Sequence, residues 1–169
     1  MPQLIGIEGL NEVLNEFLAE FDLTAEFDTD FYYAWEDHKV GYSLMVTDFA
    51  SRTFQAFVQS LCPQIKCDTF LLSFMHEIGH HHTIDDFSDM EYSRELASKQ
   101  RINNLLAADD LTILGKEMLF NEYFNLDIEK VATEWAIDYM INNQEKIRSF
   151  WDKFTDAIAH FYEINDIDM

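Results

Sequence analysis

Apolar residues recur every three or four positions along most of this chain, a spacing that predicts helices. Leu10, Val13, Leu14, Phe17, Leu18 and Phe21 follow the i, i+3, i+4, i+7 template over Ile7–Phe21. The character then changes. Phe31–Trp35 and Tyr42–Thr47 are aromatic or β-branched runs, separated by the polar Glu36–Lys39 and by Gly41, which predicts a hairpin. Helical spacing returns over Phe49–Leu61, with Phe54, Phe57, Val58 and Leu61 on one face and a stop before Pro63. Asp68 can cap a helix from Thr69 to about His82. Ser88, with Glu91 three residues on, forms a capping-box signature for a helix to about Ala108. Asp109–Leu126 is less regular. Asp127 is then expected to cap a helix burying Ile128, Val131, Ala132, Trp135, Ala136 and Tyr139. The last helix, about Gln144–Tyr162, carries Ile147, Phe150, Trp151, Phe154, Ile158 and Phe161.

With only 5 Gly and 2 Pro there is little room for a long linker, so the expectation is one domain over residues 1–169. Its fold class is α+β: mostly helical, with a small antiparallel sheet or hairpin beside the helix of residues 69–82.

Composition adds a constraint on partners. The 169 residues include 11 Lys plus Arg against 32 Asp plus Glu, a formal net charge of -21. Aromatic residues make up 15% of the chain, too many for a disordered acidic tail. DNA, RNA and anionic lipid carry the same sign and would be repelled. Nucleic acid and membrane are therefore excluded as expected partners, and a neutral or basic protein or peptide fits better. Cys62 and Cys67 cannot build a multi-bridge framework, and their spacing is not that of a C-x-x-C site. Met1–Gly9 lacks a basic segment followed by a long apolar one, and no run reaches about 18 apolar residues. The expected location is the cytoplasm.

The candidate chemistry lies in His76-Glu77-Ile78-Gly79-His80, an H-E-x-x-H pattern on an apolar helix. Residues four apart project from nearly the same side of a helix, so His76 and His80 can share one Zn²⁺. Glu77, about 100° around the axis from His76, can act as general base without binding the metal. A surface cluster of histidines is the alternative, since His81 and His82 follow directly.

A catalytic zinc needs a third protein ligand. Asp86 stands where the longer H-E-x-x-H-x-x-G-x-x-H/D pattern would place it, but Thr83 replaces the turning glycine and a β-branched residue resists positive φ. Glu91 and Glu95 fit equally well as solvated helix charges. Glu134, in Glu134-Trp135-Ala136-Ile137-Asp138, is the favoured ligand. Asp138, one turn later, can accept the spare N–H of a zinc-bound imidazole.

The run His76-Glu77-Ile78-Gly79-His80-His81, with the later Glu134-x-x-x-Asp138, resembles the gluzincin class of zinc metallopeptidases. More narrowly it is similar to the minimal gluzincins, which include the ImmA/IrrE-like proteases acting on phage repressors and regulators. The resemblance covers about half the chain. It implies that His76, His80 and Glu134 bind zinc, that Glu77 is the base and that Asp138 supports a ligand. It also implies a sheet whose edge holds extended peptide, with Tyr42–Thr47 the candidate edge. Two features depart from that pattern: the 54-residue step from His80 to Glu134, and the lack of a helix-turn-helix in this sequence.

The expected function is zinc-dependent hydrolysis of a peptide bond in a limited protein or peptide substrate. Tyr123, Tyr139, His81, His82, Arg148 and His160 are the candidates for stabilising the oxyanion. The rival expectation is an acidic nucleic-acid mimic or inhibitor that binds a basic partner without turnover. A zinc-stabilised domain without activity is a third reading.

Overall fold

In the computed structural model, described for residues 4–46 and 48–167, the chain is 69% helical with one small three-stranded mixed sheet. The mostly helical α+β expectation is therefore met. The chain divides into two compact units, one comprising residues up to Leu44 together with those from Tyr139 onward, the other Met45–Asp138.

In the first unit, α1 (Ile7–Leu18), a 3-10 turn (Ala19–Phe21) and α7 (Gln144–Ile164) enclose an aromatic core. Leu10, Leu14 and Leu18 are buried along α1, and Phe17 stacks on Phe150 with ring centroids 4.2 Å apart. The sheet is built from β1 (Thr24–Phe27), β2 (Tyr32–Ala34) and β3 (Lys39–Tyr42), in the order β1-β3-β2. The hairpin β2–β3 is antiparallel, whereas β1 pairs with β3 in parallel.

This corrects the expected second strand. Tyr42 ends β3 rather than beginning a strand, residues 43–46 leave the sheet, and Thr47 lies outside the described residues. Gly41, expected to separate strands, lies within one, because the Tyr32 ring covers the space where its side chain would stand. β3 is also the central strand. With neighbours on both sides, it has no free edge to offer a peptide.

In the second unit, α2 (Phe49–Leu61) and α3 (Thr69–Thr83) take the expected bounds almost to the residue. Asp48 caps α2 through Ser51 N–H at 2.9 Å, and Asp68 caps α3 through Phe70 N–H at 2.7 Å. α4 (Asp89–Leu106) begins at the Ser88–Glu91 capping box. The stretch expected to be irregular contains α5 (Ile113–Phe124), capped by Thr112. Its Ile113, Leu114 and Met118 face solvent, so its exposed face hides the usual stripe. Phe124 at its end packs on Phe54 and Phe57 of α2, at 5.2 and 5.4 Å.

α6 (Asp127–Asn142) continues across the boundary between the units. Leu126, rather than Asp127, receives the first helical bonds, from Glu129 N–H and Lys130 N–H. Asp127 lies within the first turn, where its charge suits the positive end of the helix dipole. Among the described residues no helix is long and apolar enough to cross a membrane.

Candidate metal centre

Helix α3 delivers the two imidazoles as its sequence requires. His76 and His80 stand one turn apart, with ring centroids 4.6 Å apart. Between them lies Gly79. A Cβ on Gly79 would stand 2.2 Å from the carbonyl oxygen of Ala132 on α6. Only glycine permits so close a helix crossing, and the crossing sets which turn of α6 meets the histidines.

That turn carries Glu129. His76 Nε2 lies 2.7 Å and His80 Nε2 3.0 Å from the same oxygen, Glu129 Oε2. Among the described residues His76, His80 and Glu129 are the group that could hold a metal ion, with ligand atoms within 4.8 Å of one another. Glu129 is 2% exposed. Bonds of about 2.0–2.1 Å at tetrahedral angles would hold three such donors about 3.3 Å apart, and both imidazole nitrogens already stand within about 0.6 Å of that separation from Glu129 Oε2.

The Thr133 hydroxyl donates to the Glu129 carbonyl oxygen at 3.1 Å. Its proton is thereby committed, so it accepts from His76 Nδ1–H at 2.9 Å. A neutral His76 then turns a bare Nε2 lone pair toward the Glu129 carboxylate. Two lone pairs at 2.7 Å are stable only with a cation between them, either a proton on the imidazole or a metal. Burial by itself pushes the His80 pKa down. The Glu129 carboxylate, its hydrogen bond and the nearby Glu77 outweigh burial and raise it. Burial likewise pushes Glu129 up, but both histidines hold it well below the usual carboxylate range.

Further residues complete the surroundings. Lys99 of α4 forms an ion pair with the other carboxylate oxygen, Glu129 Oε1, and its ammonium lies 5.6 Å from the centre of the Tyr123 ring. Burial, the negative charges of Glu129 and Glu77 and a hydrogen bond to Glu129 raise the Tyr123 pKa. The phenol therefore stays protonated at neutral pH. Glu95, one turn before Lys99, accepts Ile128 N–H at 3.2 Å, so α4 holds both backbone and carboxylate of the first turn of α6. Phe54 meets the His76 ring edge-on at 5.2 Å.

The structure thus brings together His76, His80 and, through their shared electrostatics, Glu77, but it does not bring Glu134 or Asp138 to the imidazoles. Both are exposed on α6. The buried positions Ile128, Glu129, Ala132, Thr133, Ala136 and Ile137 define one stripe. At about 100° per residue, Glu129 lies about 10° from its centre, Glu134 about 150° away and Asp138 about 170° away. A carboxylate at the middle of an apolar stripe was the signal in the sequence. A second apolar stripe, through Val131, Trp135 and Tyr139, competes with it along the same helix and masks it. Thr133 supports His76 in the place expected of Asp138.

The other candidates fall away from the cluster. Thr83 has φ -115° rather than a left-handed turn, and Asp86 is exposed on the following 3-10 turn. Glu91 is engaged in the capping box. Of the proposed oxyanion donors, Tyr123 adjoins the carboxylates, His82 stacks on Trp135 at 4.2 Å, and Tyr139, Arg148 and His160 belong to the other unit. Cys62 and Cys67 are free thiols, and burial pushes Cys67 up to about 12. Comparison with protein-family models, curated proteins and solved structures finds no match to this chain.

Proposed function

We propose that this chain is a zinc-dependent hydrolase acting on peptide bonds, with His76, His80 and Glu129 holding the metal. The observation that carries the proposal is the convergence of two imidazole nitrogens on one buried carboxylate oxygen, with His76 Nδ1 already committed to Thr133. Two nitrogens and one oxygen suit zinc better than magnesium or calcium, which favour oxygen ligands. Three protein ligands also match a catalytic rather than a closed structural site.

Bound there, zinc would supply Lewis acidity, polarising a carbonyl and making water a stronger acid. Glu77 follows His76 on the same turn, close enough to His80 and Tyr123 to influence both. Its carboxylate takes a proton from water and returns it to the leaving amine. The single O–H of the protonated Tyr123 phenol is already given to Glu129, so this residue supports the carboxylate ligand rather than the developing charge on the carbonyl oxygen. The surplus of negative charge favours encounter with basic segments of a cytoplasmic protein or peptide, an effect limited by screening beyond about 8 Å at physiological salt. An acidic inhibitor that docks on a basic partner would share that surface, but would not require three buried metal donors.

Protein purified without chelators should contain close to one equivalent of zinc, lost in His76→Ala. Glu77→Gln should retain the zinc and lose at least about 100-fold in peptide hydrolysis. A metal-free wild-type protein that cannot be loaded with zinc would rule out the site. Undiminished hydrolysis in Glu77→Gln would remove the base.

A further inference from the structure

Glu129 has two carboxylate oxygens, and they have different partners. Oε2 meets both imidazoles, whereas Oε1 is paired with the Lys99 ammonium. Lys99 is mostly withdrawn from solvent, its side chain 21% exposed, and comes from α4, a different helix from those carrying His76, His80 and Glu129. Its placement is reinforced from the same helix, because Glu95 at i-4 takes Ile128 N–H. The two side chains therefore fix the first turn of α6 at adjacent points.

An acidic ligand is ordinarily free to offer a metal one oxygen or two. Here the second oxygen is occupied by a fixed cation. We infer that Lys99 is a positioning residue that restricts Glu129 to single-oxygen donation and thereby selects a small, four-coordinate metal over ions that need a larger oxygen shell. The inference deepens the proposed metal site and depends on it. Its physical basis is twofold. The Lys99–Glu129 pair holds the carboxylate plane so that one oxygen faces the imidazoles. The ammonium also repels a metal ion from the Oε1 side, so approach midway between the oxygens is opposed.

Ions that prefer six or more ligands lose most from this restriction. Manganese accepts oxygen-rich octahedral sites, whereas zinc is satisfied by four ligands of mixed type. Removing the cation while keeping the aliphatic stem, as in Lys99→Met, frees Oε1 to join the metal. Lys99→Arg keeps a cation within reach of the same oxygen and serves as the conservative rescue.

The test loads wild type, Lys99→Met and Lys99→Arg with Co²⁺ and records the visible absorption, and measures Zn²⁺ and Mn²⁺ affinities by competition. Wild type and Lys99→Arg should show the intense bands of four-coordinate cobalt. Lys99→Met should show the weaker bands of a five-coordinate ion, with its preference for zinc over manganese reduced about tenfold. A Lys99→Met spectrum and metal preference identical to wild type would overturn the role of Lys99 while leaving the metal site intact. Failure of wild type to bind either ion would instead overturn the site itself. If Lys99→Met does not fold, Lys99→Gln, neutral but able to donate a hydrogen bond, is judged by the same spectrum: wild-type bands in that variant refute a role for the charge.

Discussion

The close passage of α3 over α6 at Gly79 makes a demanding prediction. In Gly79→Ala the added methyl carbon would lie 2.2 Å from Ala132 O, 2.9 Å from its carbonyl carbon and 3.1 Å from its Cα. The first distance is about 1 Å short of an ordinary contact, and all three atoms are backbone, so no rotamer change relieves the clash. The helices must separate. Overpacking of this kind costs about 1–3 kcal/mol, and the better helix propensity of alanine returns about 1 kcal/mol. Because the clash is with fixed backbone, the upper end of that range applies, about 2–3 kcal/mol, and the expected net loss is about 1–2 kcal/mol, a fall in Tm of about 2–8 °C for a chain of this length. Gly9→Ala supplies the control. Gly9 is also helical, but a Cβ there meets nothing within 4 Å, so Tm should rise by about 1–3 °C. Separation of the helices also pulls the imidazoles from Glu129, lowering zinc affinity by on the order of tenfold. Thermal denaturation by circular dichroism, with and without zinc, and competition with a chelating dye measure both effects. A Gly79→Ala protein with wild-type stability and zinc affinity would refute the argument from the crossing.

Three further predictions concern the cluster and its supporting helix. Thr133→Val removes the acceptor for His76 Nδ1–H and should weaken zinc binding about 10–100-fold, whereas the exposed Glu134→Gln should leave it unchanged; the reverse order of effects would restore Glu134 as the ligand. Glu129→Gln should weaken zinc at least as much as Thr133→Val, measured by the same competition. At the start of α4, the hydrogen bonds with Ser88 hold the Glu91 carboxyl below its ordinary value. A depressed folded-state pKa means that this contribution is present above about pH 4.5 and is lost as pH falls through the lower folded value. Ser88→Ala should return Glu91 to the ordinary carboxylate range by NMR titration, at a cost of about 1 kcal/mol in stability; an unchanged titration would refute the assigned cause.

Much of this protein was legible locally. The bounds of α2, the caps at Asp68 and Ser88, and the side-by-side placement of His76 and His80 follow from helix geometry within a few residues. The exposed apolar residues of α5 gave no such stripe, and Gly41 disguised a strand whose missing side chain is covered by Tyr32. The third donor was of another kind. Within α6 two apolar stripes compete, one centred near Glu129 and one through Val131, Trp135 and Tyr139, and the helix alone does not choose between them. What separates them is which face α6 turns inward, and that is set by the approach of Gly79 to Ala132 and by Glu95 and Lys99 reaching from α4. The sequence by itself determined a helix able to present two imidazoles and a neighbouring carboxylate. Only the tertiary structure decided that Glu129, Thr133, Lys99 and Tyr123 surround them, because contacts between residues as much as 57 positions apart along the chain depend on how helices cross rather than on the spacing within any one of them.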